Sequence, residues 1–124
     1  MTSQLVYQRI RNRIIEMLEW IVECESTPPE LGMNELVNAW EDWVPIPLME
    51  HHFNGPVFTE EEENLIREVS FQMNAFCDKT PKIIRDDIAS IRLPEWSKVI
   101  VASKLTHVVM LQRGRMPEDF ELPL

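Results

Sequence analysis

Two adjacent histidines follow a glutamate near the middle of the chain, and all three side chains are of types that bind metals. They are Glu50, His51 and His52. Neighbouring side chains of an extended segment point in opposite directions, so both imidazoles rarely reach one ion. The spacings H-x-x-x-H, C-x-x-C and H-E-x-x-H do not occur. A metal site at these residues is therefore an alternative, and the main expectation includes no metal and no cofactor.

A second group of acids could support magnesium-dependent hydrolysis of nucleotides. Glu16, Glu19 and Glu23 are three and four residues apart, so a helix places them on one face, where carboxylates can hold Mg²⁺. Helical pyrophosphohydrolases also need a Glu-x-x-Asp pair on another helix, and no glutamate here precedes an aspartate at that spacing. Hydrolysis is therefore a second alternative. With no G-x-S-x-G sequence either, we expect no enzyme activity.

The charge distribution is a stronger signal than any catalytic motif. The chain has a formal net charge of -9, and residues 14–68 contain 14 acids against one base, Arg67. Nucleic acids require lysine and arginine on the protein, so they are not expected partners. Carboxylates that imitate DNA phosphates would have to form two regular rows, which the sequence does not establish. An acidic surface with aromatic side chains suits a basic protein, because charge steers the encounter and an aromatic anchors it.

The candidate interface covers the end of the second predicted helix, the loop that follows it and the start of the third helix. Its residues are Glu41, Asp42, Trp43, Glu50, His51, His52, Glu60, Glu61, Glu62 and Glu63. The carboxylates would pair with lysine and arginine of the partner. The two histidines would make the affinity depend on pH between about 6 and 7.

Apolar residues at three- and four-residue spacing predict a single all-α domain of about five helices. We expect helices over 3–24, 33–44, 59–77, 81–91 and 94–112, the third opened by a capping box of Thr59 and Glu62. The stretch VIVASKLTHVVML is β-branched enough for a strand, but no partner strand is visible. A long ordered Pro-rich loop is expected between helices two and three. Residues 115–124 are expected to form an extended tail, docked at most through Phe120 and Leu122.

Several side chains are expected in the core. They are the four tryptophans, Trp20, Trp40, Trp43 and Trp96, and the apolar residues of the last helix, including Leu105 and Val108. Cys24 and Cys77 are expected to be buried free thiols and not a disulfide. No apolar run approaches the roughly 18 residues of a membrane span, and the N-terminal residues lack the pattern of a signal peptide, so a cytoplasmic location is expected.

The stretches NAWEDWVP and PVFTEEEENLIREVSFQMNAF, within a small acidic helical chain, resemble the small immunity proteins of bacterial toxin–immunity systems. The resemblance is one of type and covers roughly residues 38–76. It implies stoichiometric binding of a cognate toxin, often a basic nuclease. A third alternative is a helical homo-oligomer, such as a homodimer with a scaffolding role, in which the wide apolar stripes of the first and last helices are subunit contacts.

Overall fold

The computed structural model describes residues 3–45 and 55–124, and these form a single bundle of five α-helices. The all-α fold class is confirmed. The helices are α1 (Gln4–Glu23), α2 (Met33–Trp43), α3 (Glu60–Asp78), α4 (Asp87–Ile91) and α5 (Pro94–Leu111). In the described part of the chain, no helix is long and apolar enough to cross a membrane.

Side chains that accept backbone hydrogen bonds fix the start of three helices. The hydroxyl of Ser3 accepts from the N–H of Val6 at the start of α1. The predicted capping box of α3 is confirmed, since Thr59 and Glu62 each accept from the backbone N–H of the other. The Asp86 carboxylate caps α4 by accepting from the N–H of Ala89. Each cap satisfies donors that the first helical turn leaves free.

The fourth helix is shorter than the sequence pattern predicts. It begins at Asp87, and residues 80–86 are not helical. The Asn34 side chain donates to the carbonyl of Ile84 at 2.8 Å and accepts from its N–H at 2.9 Å. These two bonds from α2 satisfy the carbonyl and the N–H of Ile84, which hydrogen bonds within a helix would otherwise satisfy. Tertiary contact with α2 therefore replaces the predicted first turns.

The β-branched stretch of α5 is helical, as expected, and α5 packs along α3. The rings of Trp96 and Phe76 are 5.0 Å apart near one end. Near the other end, the Thr106 hydroxyl donates to the carbonyl of Leu65. Because early residues of α5 meet late residues of α3, the two helices are antiparallel.

Two of the four tryptophans are completely enclosed and hydrogen-bonded. Trp40 donates to the hydroxyl of Ser70 at 3.0 Å, which ties α2 to α3. Trp96 donates to the carbonyl of Cys24 at 3.0 Å, which ties α5 to the end of α1. Trp20 is partly buried against the core. The prediction of a core position is wrong for Trp43, which is 37% exposed, because it is the last residue of α2 and lies at the edge of the buried side.

A buried arginine joins the start of α3 and the end of α5 to the first helix. Arg11 donates to both carboxylate oxygens of Glu62 at 2.8 Å. Its remaining N–H groups donate to the carbonyls of Val57, Met110 and Gly114. All five guanidinium N–H groups are therefore used, which is what burial of this side chain requires. Three segments of the chain, α1, residues 57–62 and residues 110–114, meet at this one group.

A second arginine reinforces the same carboxylate from the surface. Arg113 donates to Glu62 at 2.8 Å and to the carbonyls of Pro56 and Val57. These bonds hold residues 56 and 57 against the end of α5. Val57 and Phe58 are buried. The rest of the predicted Pro-rich loop, residues 46–54, lies outside the described residues.

The C-terminal residues lie along α1 and are held by its polar side chains. The amide of Asn12 both donates to and accepts from the backbone of Met116. The amide of Gln8 donates to the carbonyls of Pro117 and Phe120 and accepts from the N–H of Leu122. The segment is non-helical, and its attachment is mainly polar.

The apolar part of that attachment differs from the expectation. Met116 is buried and belongs to the core, although the sequence did not single it out. Leu122 packs partly against the core. Docking through Phe120 is wrong, because this side chain is 57% exposed. The hydrogen bonds of α1 fix the path of the backbone, and that path turns Phe120 outward.

Replacement of Arg11 by methionine is expected to destabilise the fold by about 3–5 kcal/mol, because it leaves the carboxylate of Glu62 buried without its main partner. The free energy of unfolding from urea titration measures the effect. Arg9→Met is the matched control, since Arg9 on the same helix is exposed and donates to the carbonyl of Glu118. A loss in Arg11→Met no larger than that in the control would contradict the assigned role.

Candidate protein-binding surface

The last turn of α2 carries two exposed carboxylates and a partly exposed aromatic ring. They belong to Glu41, Asp42 and Trp43. The C-terminal end of a helix carries partial negative charge, so acids there are unfavourable and bases are favoured. The last turn of α2 contains no base. Within residues 3–45 and 55–124, neither carboxylate forms an ion pair.

The first turn of α3 presents two more exposed carboxylates, those of Glu60 and Glu61. Here the helix dipole favours negative charge, so the fold alone explains these acids. Glu63, in the same turn, accepts from Arg67 at 2.8 Å and is partly neutralised. Glu60 and Glu61 are available at the surface, but their positions are weaker evidence for a partner than the positions of Glu41 and Asp42 at the end of α2.

The expectation that Glu62 faces a partner is wrong. Its side chain is only 2% exposed, because it closes the capping box and binds Arg11 and Arg113. Burial alone would raise the pKa of its carboxyl. The hydrogen bonds from the two arginines and from the backbone of Thr59 outweigh burial, so the pKa is lowered from its ordinary value of 4.5. Glu62 is a charged structural residue.

Glu50, His51 and His52 lie outside the described residues. Their proposed roles, as interface residues or as metal ligands, therefore stay predictions. The third histidine, His107, is partly buried at the boundary of the core, and its Nε2 is 3.0 Å from a carboxylate oxygen of Glu19.

A groove of about 430 Å³ lies beside Glu41, between α2 and the segment that follows α3. Asn34, Asn38 and Glu41 line it from α2, with Cys77 and Lys82 on the opposite side. Burial, with smaller contributions from Glu41 and Asp78, raises the pKa of the Cys77 thiol to about 11. The thiol is therefore protonated at neutral pH and is a poor nucleophile.

The three acids of α1 have different surroundings. Glu16 pairs with Arg13 at 3.3 Å. Glu19 meets His107 and Arg115, whose hydrogen bonds lower the pKa of its carboxyl although burial acts to raise it. Glu23 is exposed. Within residues 3–45 and 55–124, no three side chains of histidine, cysteine, aspartate or glutamate are grouped so that they could hold a metal ion.

Two apolar side chains of α5 are not in the core, contrary to expectation. Leu105 and Val108, expected in the core, are 53% and 61% exposed. Both lie on the side of α5 opposite its contacts with α1 and α3. The signal was present in the sequence, because α5 is apolar on every side, whereas a helix at the surface of a bundle normally has one polar face.

Comparison of the chain with protein-family models, with curated proteins and with solved structures gave no match.

Acid is expected to destabilise the fold in part through Glu62. A carboxyl whose pKa is lowered in the folded state contributes stability above its unfolded pKa, and this is lost as pH falls through the folded value. The free energy of unfolding should therefore decrease as the pH falls below 4.5, the ordinary pKa of this group. Urea titration at a series of pH values measures the slope.

Glu62→Gln should have lower stability at neutral pH and a shallower loss of stability in acid. Glu61→Gln, one residue earlier and exposed, is the matched control and should keep the wild-type slope. An unchanged acid slope in Glu62→Gln would assign the acid sensitivity to other carboxyl groups.

Proposed function

We propose that this chain is a protein-binding module that recognises a basic protein through its acidic surface. By acidic surface we mean Glu41, Asp42 and Trp43 at the end of α2 together with Glu60 and Glu61 at the start of α3. The residues Glu50, His51 and His52, which lie between these groups in sequence, are included in the proposal from the sequence pattern alone.

The position of Glu41 and Asp42 carries the proposal. They are adjacent like charges at the negative end of a helix, with no cation paired to them in the described part of the chain. Each such placement costs a few tenths of a kcal/mol or more. Departures from local rules of this kind concentrate at functional sites. Lysine or arginine of a partner would relieve the repulsion and the unfavourable dipole interaction together.

The proposed surface has the two components that protein recognition uses. Exposed carboxylates attract a basic partner over a distance of about 10 Å in moderate salt and raise the association rate. Trp43 supplies a large ring beside them, and tryptophan is among the residues that most often dominate binding energy. The flanking Trp40 is rigidly held by its bond to Ser70, so α2 presents Trp43 from a fixed support.

The resemblance to immunity proteins suggests the biological form of this binding. In that form, the chain neutralises a cognate toxin domain with basic surface in a one-to-one complex in the bacterial cytoplasm. Stoichiometric inhibition requires only a rigid, charged surface. Two free cysteines are consistent with a reducing compartment.

The partner can be sought by affinity capture from host lysate at low salt and again at about 0.5 M salt, where the Debye length falls to roughly 4 Å. A basic protein recovered near one-to-one at low salt and depleted at high salt supports the proposal. The same capture with Glu41→Lys/Asp42→Lys as bait separates specific from general adsorption. A protein that both baits retain equally is not bound through the acidic surface.

With the partner in hand, Glu41→Lys/Asp42→Lys should slow association by about tenfold or more and flatten its dependence on salt, because charge steering acts on the on-rate. Stopped-flow or surface plasmon resonance measures both. Glu30→Lys/Asp119→Lys makes the same change of charge at exposed carboxylates elsewhere. Equal slowing in this control would indicate that net charge, not the end of α2, governs association.

Trp43→Ala should act on dissociation instead. Removal of an interface tryptophan commonly costs about 2 kcal/mol or more, so the dissociation rate should rise by roughly 30-fold while the association rate changes little. Phe71→Ala is the control, because it removes an exposed aromatic ring from α3 outside the acidic surface. An unchanged dissociation rate in Trp43→Ala would remove Trp43 from the proposed interface.

A further inference from the structure

The bases of residues 79–98 differ from the other bases of the chain in having no partner within it. Elsewhere in the described residues, arginine and lysine side chains bind carboxylates or backbone carbonyls. In residues 79–98, the side chains that form neither an ion pair nor a hydrogen bond with residues 3–45 or 55–124 are Lys79, Lys82, Arg85, Arg92 and Lys98. The chain has 21 acids against 12 bases, so a shortage of acids does not explain this.

The two acids of residues 79–92 are used by the fold and do not neutralise these bases. The Asp86 carboxylate accepts from the N–H of Ala89 at 3.0 Å and caps α4. The Asp87 carboxylate accepts from the N–H of Met33 at 3.2 Å, at the start of α2. Positive charge in this segment is therefore presented to solvent, although the chain as a whole is acidic.

A groove of about 500 Å³ lies in the same segment, and we call it the basic groove. Lys79 and Arg85 line it and are both exposed. Its other lining is mainly apolar and consists of Pro81, Ile83, Ile84, Ala89 and Leu93. Ile83 is 62% exposed. A mostly apolar concavity with a few charged groups is typical of a binding site.

The lysine and the arginine are the side-chain donors that the basic groove leaves free. The Thr80 hydroxyl donates to the carbonyl of Cys77, and the Ser90 hydroxyl donates to the carbonyl of Asp87. Each hydroxyl has one hydrogen to donate, so neither is available to a ligand as a donor. A ligand must therefore supply acceptors, and carboxylates are the acceptors that lysine and arginine bind most strongly.

The backbone of the basic groove is held in place without a ligand. Asn34 of α2 binds both the carbonyl and the N–H of Ile84. The bond from Met33 to Asp87 ties the other end of the segment to α2. A site that is already formed costs little conformational entropy when it binds.

The distribution of charge identifies the occupant as an acidic peptide segment. Lys82 and Arg92 each adjoin residues that line the basic groove, so the positive charge extends beyond what one carboxylate would use. A long polyanion such as a nucleic acid, or an anionic membrane, would also meet the acidic remainder of a chain of net charge -9. A short segment with a few carboxylates around one large apolar side chain meets the local charge alone.

We propose that the basic groove binds an acidic segment of another protein. A large apolar side chain of that segment occupies the groove beside Ile83, and carboxylates on either side of it pair with Lys79 and Arg85. The site is opposite in charge to the proposed acidic surface, so it recognises a different kind of segment. It does not depend on what binds at Glu41 and Asp42.

Selection of random peptides on the immobilised full chain tests the proposal, at about 0.1 M salt, where the Debye length is about 10 Å. Enriched peptides should include a class that combines aspartate or glutamate with a large apolar residue. This class should be lost when Lys79→Glu/Arg85→Glu is the bait and kept when Glu41→Lys/Asp42→Lys is the bait. Basic peptides bound at the acidic surface would show the reverse pattern, so the two proposals are distinguished in one experiment.

Fluorescence anisotropy of one enriched acidic peptide then measures the contribution of each charge. Lys79→Glu should weaken binding about fivefold or more, because attraction is replaced by repulsion. Lys98→Glu makes the same change at an exposed lysine outside the basic groove, and its affinity should stay within about twofold of the wild type.

The apolar contact has its own matched pair of variants. Ile83→Ala should weaken binding about three- to fivefold, because it removes apolar surface that the peptide covers. Ile88→Ala shortens an isoleucine that is 52% exposed and does not line the basic groove, so it should leave the affinity unchanged. Circular dichroism checks that every variant is folded.

Three outcomes overturn the proposal. The first is a selection that enriches no acidic peptide. The second is an equal loss of affinity in Lys98→Glu and Lys79→Glu, since net charge would then explain the binding. The third is a single-stranded oligonucleotide or a phosphatidylglycerol vesicle that binds more tightly than the peptides and also depends on Lys79, which would assign the basic groove to that ligand.

Discussion

The buried ion pair between Arg11 and Glu62 is the contact on which the arrangement of the bundle depends. Because the guanidinium also binds the carbonyls of Val57, Met110 and Gly114, it holds the start of α3 and the end of α5 against α1. A charge enclosed in this way is tolerated only while every partner is in place. This contact couples parts of the chain that are distant in sequence, and it fixes where the first turn of α3 meets solvent. The acidic side chains beside Glu62 are presented from a position that the ion pair determines.

Local signals in the sequence predicted the helices well and the contacts between them poorly. The capping box of Thr59 and Glu62 was recognised because its two residues are three apart and the rule is local. The ion pair of Glu62 with Arg11 was not recognised, because the two residues are 51 positions apart and nothing in their spacing links them. The same limit explains the fourth helix, where Asn34 of α2 overrides a helical pattern. Among the candidate interface residues, composition could not separate Glu62, which is buried, from Glu61, which is exposed.

The acids of the candidate interface illustrate why position outweighs composition. The glutamates at the start of α3 look conspicuous as a run, yet the capping box and the helix dipole account for them without any partner. Glu41 and Asp42 are less conspicuous in the sequence, but they occupy the end of α2, where the dipole disfavours them. Their unfavourable placement supports the proposed binding of a basic protein more strongly than the run does. Whether an acid lies at the start or at the end of a helix decides whether the dipole favours or disfavours it. The sequence locates helix boundaries only within a few residues.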